Sequence, residues 1–474
     1  MNLFFIILKT LFVLIISKND NDILEEKNKQ YLEFSFNRNL TLSNSMSPEE
    51  IFKSIFYNQI YIKIKLGSEQ EEIPFYLYLQ QYSFIIQSSE VSKDQVKGLY
   101  NNLKSKTYVS SSKPEYFIVL DMSEGILSED NFYFNNGNGK EQSFLTFYLC
   151  NKNNDESHIT EGGKIGFKFE PESSQSEEAF FITNLKEKNL ISELIFSFKY
   201  DSDEEGKLFI GTYPHNIDNN RFNNKYFLND NTAQIFSKIE WAFFFDEIKI
   251  GNNIIETKSN SFLYIEIGYI IGSKKYFDYL LSLDTWKEYF KGNKKCHQTK
   301  FIINDFEKND VSQKLSDDYT IYYCDKEVDV SKINIGELSF VDKMMNYEFS
   351  FNKEDLWEEK NGYKYFKIIS HEYYNEYWFL GKPFFQKYQL VFDYDNKKIG
   401  LYSKILNDFE IQNNDNGKKN IFIYIFIIIG LIIIIAGLIY LLFKAYKNFP
   451  KKKIANELLD DNYVYPVNEM IHVN

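Results

Sequence analysis

The sequence predicts a mostly-β fold, and three observations carry that expectation. From about Tyr57 to Ser403 the chain is a series of short aromatic or β-branched runs: "YIKIKLG", "EYFIVLD", "NFYFNNGNGK", "SFLTFYLC", "IFSFKY", "KLFIGTY" and "YQLVFDYDNKKIGLY". Turns of Asn, Asp, Gly and Lys separate them, which is the pattern of strands and hairpins. Asp395-Asn396 sits between two such runs as a hairpin turn. Long amphipathic helices are scarce, and the best short candidates are "FFITNLKEKNLI" and "SKKYFDYLLSL". The 474 residues leave room for two or three domains, and an aromatic fraction of 18% excludes a disordered chain. The net charge of −13 argues against a nucleic-acid partner.

Taken in order, residues 1–17 ("MNLFFIILKTLFVLIIS") are apolar apart from Lys9 and read as a secretory signal peptide. Residues 18–56 form an N-terminal extension that includes the sequon Asn39-Leu40-Thr41, a glycosylation site if the segment is lumenal. The strand-rich region follows, then a juxtamembrane linker over residues 406–420. Residues 421–443 ("IFIYIFIIIGLIIIIAGLIYLLF") carry no charge and suffice to cross a bilayer core of about 30 Å. Lys444, Lys447, Lys451, Lys452 and Lys453 follow this segment, against Lys418 and Lys419 before it. The positive-inside rule therefore predicts a cytosolic tail over residues 444–474, and a type I protein at the cell surface or on an endomembrane.

Three cysteines are few for an ectodomain in an oxidising compartment. Cys296 and Cys324 are predicted to pair, and Cys150 is expected as a buried small hydrophobe. No H-E-x-x-H, G-x-S-x-G or metal-ligand spacing occurs, so neither a metal nor a cofactor is expected.

The chain also repeats itself weakly, each half having an apolar run that ends in Gly: Gly166 in "GGKIGFKF" and Gly381 in "WFLGKPFF". These stretches resemble the pepsin-like aspartic proteases. "WFLGKPFFQKYQLVFDYDNKKIGLY" (Trp378–Tyr402) resembles the closing signature of that family. "GGKIGFKF" with "FFITNLKEKNLISELIFSFKYDSDEEGKLFIGTY" (Phe180–Tyr213) resembles its first-lobe counterpart, and "WAFFFDEIKIG" and "YIKIKLGSEQEEIPFYLYL" resemble the strand pairs that open the two lobes. The likeness spans about Tyr57–Ser403. It implies a bilobal fold with lobes at residues 57–235 and 236–405, a second-lobe disulfide at Cys296 and Cys324, and a long cleft between the lobes. Residues 18–56 then read either as a propeptide-like segment or as a plain extension, "YLEFSFNRNLTL" resembling the strand that such propeptides add to the sheet.

The resemblance also implies a site. In that family one Asp from each lobe meets its partner on the cleft floor, and the two share a proton because carboxylates about 3 Å apart cannot both ionise. One acts as base on a bound water while the other donates to the peptide carbonyl. Carried onto this sequence, the first Asp falls on Tyr78, with Leu79, Gln80 and Gln81 in place of Thr-Gly-Ser. The second falls on Glu266, followed by Ile267 and Gly268, and the tyrosine of the flap falls on Ile118, with Tyr116 two residues away. No Asp lies between Gly67 and Lys93. The sequence therefore leads to the expectation of a non-catalytic pseudoprotease whose cleft, with Gln80, Gln81 and Gly268 on its floor, takes a peptide or protein ligand. An active endopeptidase built on Glu266, and a structural surface protein with a filled cleft, are the alternatives.

Overall fold

The computed structural model describes residues 30–38, 40, 42–43, 45–79, 84–89, 99–116, 124–136, 139–152, 162–168, 180–217, 227–230, 241–292, 295–303, 317–343, 345–372, 376–402, 437, 439–441, 444 and 447. It divides into two compact units, residues 1–405 and 406–474.

The first unit opens with strand β1 (Leu32–Arg38) and helix α1 (Pro48–Phe56). The first lobe continues with β2 (Ile60–Leu66), β3 (Glu71–Tyr78), β4 (Phe84–Gln87), β5 (Val109–Tyr116), β6 (Glu124–Asn136), β7 (Gly139–Lys152), β8 (Gly163–Gly166), α2 (Phe181–Glu187), β9 (Ile195–Tyr200), β10 (Glu205–Ile210) and β11 (Phe227–Asp230). Alternation puts Ile60, Ile62, Ile64 and Leu66 of β2 inside, and the β2–β3 hairpin pairs Ile64 with Ile73. Gly67 turns this hairpin at φ 77°, in the left-handed region.

The second lobe holds β12 (Ala242–Ile250), β13 (Asn253–Leu263), β14 (Ile270–Gly272), α3 (Lys274–Ser282), β15 (Cys296–Ile303), β16 (Asp317–Asp325), β17 (Leu338–Asp342), β18 (Tyr347–Phe351), β19 (Trp357–Lys360), β20 (Tyr363–Phe366), β21 (Ile368–His371), β22 (Trp378–Leu380), α4 (Lys382–Lys387), β23 (Gln389–Asp393) and β24 (Lys398–Tyr402). Cys296 and Cys324 lie directly opposite each other on β15 and β16 and are joined as a disulfide with Cα atoms 4.0 Å apart. Cys150 remains a thiol, buried with Ile85 and Tyr148.

The last hairpin of the second lobe crosses to the first. Strands β11, β24, β23, β9, β10 and β1 run in that order within a 13-stranded sheet, β23 pairing Phe392 with Phe196 of β9. Those two rings stack with centroids 4.8 Å apart, and Trp241 meets both edge-on. Aromatic pairs of this kind are worth about 0.5–1.5 kcal/mol beyond the area they bury.

The N-terminal segment ties into both lobes. β1 lies between β10 and β2, with Phe34 opposite Leu208 and Phe36 opposite Ile62. α1 starts at a capping box: Ser47 Oγ accepts from Glu50 N–H, the Glu50 carboxylate accepts from Ser47 N–H, and Pro48 follows the cap. Its apolar face, Ile51, Phe52, Ile55 and Phe56, is buried in a second-lobe cluster with Tyr269, Ile271, Tyr319 and Ile369. Burying each such side chain contributes about 1.5–3 kcal/mol, so packing against the second lobe dominates the stability of this nine-residue helix.

Among the described residues no helix is long and apolar enough to cross a membrane. Residues 1–17, Asn39 and nearly all of 421–443 lie outside the described residues.

Candidate functional site

Each lobe has a crossing in which a long strand pairs in parallel with a short strand that is antiparallel to a third. In the first lobe β3 runs parallel to β8, Leu77 opposite Ile165 and Tyr78 opposite Gly166, and β4 returns antiparallel with Phe84 opposite Ile165. In the second, β13 runs parallel to β22, Leu263 opposite Leu380, and β14 returns antiparallel with Ile270 opposite Leu380. Gly166 and Gly381 follow Ile165 and Leu380, so the weak repeat in the sequence is a repeat of this crossing. Leu79, after β3, and Glu266, after β13, meet across the lobes at the floor of these crossings.

Tyr78 ends β3, and its carbonyl accepts from Phe167 N–H at 2.8 Å. Lys164 Nζ lies 6.0 Å from the centre of the Tyr78 ring. Leu79 is fully buried, and its N–H points across the lobes at Glu266 Oε2, 3.5 Å away. Gln80 and Gln81 lie outside the described residues, as does Ile118. Tyr116 ends β5 opposite Glu124, in the hairpin expected as the flap.

Glu266 is half-buried in the turn after β13, where Ile267 N–H closes onto Tyr264 O at 3.2 Å. The N-terminal segment grips this turn. Asn58 N–H donates to Glu266 O at 2.8 Å, Asn58 Nδ2 donates to Ile265 O at 2.6 Å, and Gly268 N–H donates to Phe56 O at 2.7 Å. A Cβ on Gly268 would stand 1.9 Å from Ile55 O, so only glycine admits this approach. Tyr57 bridges Ile267, and Lys382 N–H donates to Ile267 O at 2.7 Å.

Sequence reasoning missed three members of this floor. The paired strands make Tyr264, the residue after Leu263, the counterpart of Tyr78, the residue after Leu77. The same step separates Leu77 from Phe84 and Leu263 from Ile270, so the repeat sets Glu266 against Gln80. An alignment hung on Gly268 hides this register, whereas one hung on the apolar strand starts reveals it. Asn58 and α1 were missed as well, and Ser47-Pro48-Glu49-Glu50 was the signal available for the helix.

The chemistry available is narrow. Between Tyr78 and Ser89 the sequence has no carboxylate, and Glu266 supplies the one between Tyr264 and Ser273. Burial holds the phenols of Tyr200 and Tyr269, behind the floor, above their ordinary range; Glu266 adds to this at Tyr200 and Glu358 at Tyr269. Both stay protonated at neutral pH. The floor thus offers one carboxylate aimed at a backbone amide, and phenols that donate but do not act as bases.

Two lobes joined by a shared sheet, each with this strand crossing, are the architecture expected of pepsin-like aspartic proteases. A family model of eukaryotic aspartyl proteases matches residues 82–404, and the chain belongs to that family. A search of curated proteins returned no match.

Proposed function

We propose that this family member is a non-catalytic, membrane-anchored binding protein whose interlobe cleft takes an extended peptide or protein segment. The observation that carries the reading is the floor: Tyr78 ends β3, Tyr264 directly follows β13, and the first-lobe stretch from Tyr78 to Ser89 supplies no carboxylate to face Glu266. General acid–base hydrolysis by a proton-sharing pair needs two carboxylates in contact.

In this reading residues 1–17 are removed as a signal peptide, Asn39 is glycosylated, and residues 421–443 span the membrane with residues 444–474 in the cytosol. Ile439, Tyr440 and Leu441 support the anchor, being helical and exposed despite their apolar side chains. Of the two readings of residues 18–56, the structural place of β1 and α1 supports an extension that stays with the protein. Shedding it would uncover Tyr269 and Tyr319, on which the rings of Phe52 and Phe56 pack, and leave β10 and β2 without the strand between them.

The test uses the full chain in detergent, incubated with a complex peptide library from pH 3 to 7, with cleavage and retention both read by mass spectrometry. Peptide retention without cleavage is the expected result. Cleavage that is blocked by a transition-state inhibitor of aspartic proteases, and lost in Glu266→Gln, would overturn the proposal in favour of an active endopeptidase. Neither retention nor cleavage would overturn it in favour of a filled cleft.

A further inference from the structure

We infer that the turn between β9 and β10 is an interlobe latch: Asp203, on the first lobe, holds Lys360, Lys382 and Gln386 of the second from behind the floor, and so sets the angle between the lobes and the width of the cleft. The lobes already share strands, since β23 pairs with β9 in the 13-stranded sheet. A join along one line of strands leaves rotation about that line to be fixed by contacts away from it. Lys360 supplies such a contact. It closes β19, the last strand of the 11-stranded sheet, and its Nζ donates to Asp203 Oδ2 at 3.2 Å.

The turn is built to hold Asp203 in place. Ser202 Oγ accepts from Glu204 N–H at 3.2 Å and from Glu205 N–H at 3.1 Å, while Asp201 N–H and Ser202 N–H donate to Glu205 O at 3.0 and 3.1 Å. Arg38 N–H donates to Glu204 O at 2.8 Å, which ties the turn to β1. The carboxylate then divides its oxygens. Oδ1 accepts from Gln386 Nε2 of α4 at 2.8 Å and lies 3.7 Å from Lys382 Nζ, and Oδ2 takes Lys360. Burial alone would push the Asp203 carboxyl up, but Lys382, Gln386 and Lys360 outweigh it and hold the group well below its ordinary range.

Exposed ion pairs are worth little, and the Asp203 side chain is half-exposed. Its partners are not: Lys382 is 2% exposed, and the Lys360 side chain 18%. A covered ammonium cannot turn to water and depends on the carboxylates around it. Glu358 serves both cations from within the second lobe, 3.5 Å from Lys360 and facing Lys382, but a partner on the same lobe does not join the two. From the first-lobe side Lys382 feels Asp203 and Arg38, the like charge of Arg38 adding to burial in lowering the ammonium to about 8. Neutralising Asp203 leaves Arg38 facing Lys382, and attraction across the lobes at this place becomes repulsion. The latch also reaches the floor: Lys382 N–H donates to Ile267 O at 2.7 Å, beside Glu266, which meets Leu79 N–H across the lobes.

The test is a spin-label distance measurement on the full chain in detergent at neutral pH, with labels at Lys104→Cys in the first lobe and Lys275→Cys in the second, both exposed positions. Asp203→Asn and, from the other lobe, Lys360→Met are each expected to broaden the distance distribution and add a second, displaced population. The double variant is expected to move it no further than the larger single effect, because the two changes remove the same contact. Glu204→Gln, in the same turn, is expected to leave the distribution unchanged, since among the described residues its carboxylate pairs with none of these cations. Should one variant lose its melting transition, the variant from the opposite lobe reads the same contact. Distributions that coincide with the parent in both single variants, or a Glu204→Gln chain displaced as far as Asp203→Asn, would sink the inference.

Discussion

The two strand crossings share a topology but differ in what lies beneath them. In the second lobe the backbone from Tyr264 to Gly268 is tied at nearly every residue, to Leu380, Asn58, Phe56 and Lys382. Most of those ties come from the N-terminal segment or the start of α4, outside the crossing itself. In the first lobe the described ties at the equivalent place are Tyr78 O to Phe167 N–H and the long contact from Leu79 N–H to Glu266. Among the described residues, Tyr78 and Leu79 of the first-lobe crossing are met by Phe167 and Glu266, whereas the second-lobe loop is held largely by a separate piece of chain. The second-lobe loop is therefore a structural junction, and its glycine, its asparagine contacts and its carboxylate have separable roles.

The strongest test of that separation is Gly268→Ala. A methyl group 1.9 Å from Ile55 O has only backbone to push against. The expected loss is about 3 kcal/mol or more in denaturant unfolding, with the second lobe most affected. A loss below about 1 kcal/mol would mean that α1 is not seated on the loop. Replacing the disulfide by Cys296→Ser with Cys324→Ser is expected to cost about 2–4 kcal/mol, read as a lower midpoint, with amide exchange rising in β15 and β16 ahead of β3 and β8.

Asn58→Leu removes the donors to Ile265 O and to Tyr200 Oη at 2.8 Å. About 1–3 kcal/mol should be lost, with faster amide exchange at residues 264–268 and no change at residues 75–79. Equal changes in both loops would erase the distinction between the lobes.

Lys382 gives a pH signature of the junction. An unfolded lysine holds its proton up to its ordinary value of 10.5, whereas folded Lys382 releases it at about 8. Between these values the unfolded state binds more protons, so stability rises with pH from about 8 to about 10, where unfolded tyrosines begin to ionise. Lys382→Met should flatten that rise. The smallest effect is expected from Glu266→Gln. Gln keeps an oxygen that can accept from Leu79 N–H, 3.5 Å away in the wild type, and stability should shift by no more than about 0.5 kcal/mol.

Much of the fold was legible because it rests on local rules. Alternating aliphatics mark β2 and an aromatic run marks β3, Asp395-Asn396 turns the hairpin of β23 and β24, and the apolar runs before Gly166 and Gly381 mark the crossings. Cys296 and Cys324 were legible because so few cysteines left few pairings. The helix α1 was not singled out, although its capping box is written in Ser47 and Glu50, because its short apolar face is completed by residues more than two hundred positions away. The floor register was hidden for a related reason. Strand pairing fixes which residues are equivalent, and a linear alignment anchored on one glycine has no access to pairing. Arg38 and Lys382 look like ordinary surface cations in the sequence, and only the packing of three distant segments buries them.

The placement of the N-terminal segment also has a consequence for synthesis. Residues 32–56 leave the ribosome before either lobe, yet β1 waits for β10 and α1 waits for Tyr269, Tyr319 and Ile369. Until the second lobe is made, Ile51, Phe52, Ile55 and Phe56 have no surface to bury against. Such long-range pairing is slow and exposes apolar surface meanwhile. A segment translated ahead of both lobes is thus among the last to find its place, and for that interval its apolar face is open to chaperones.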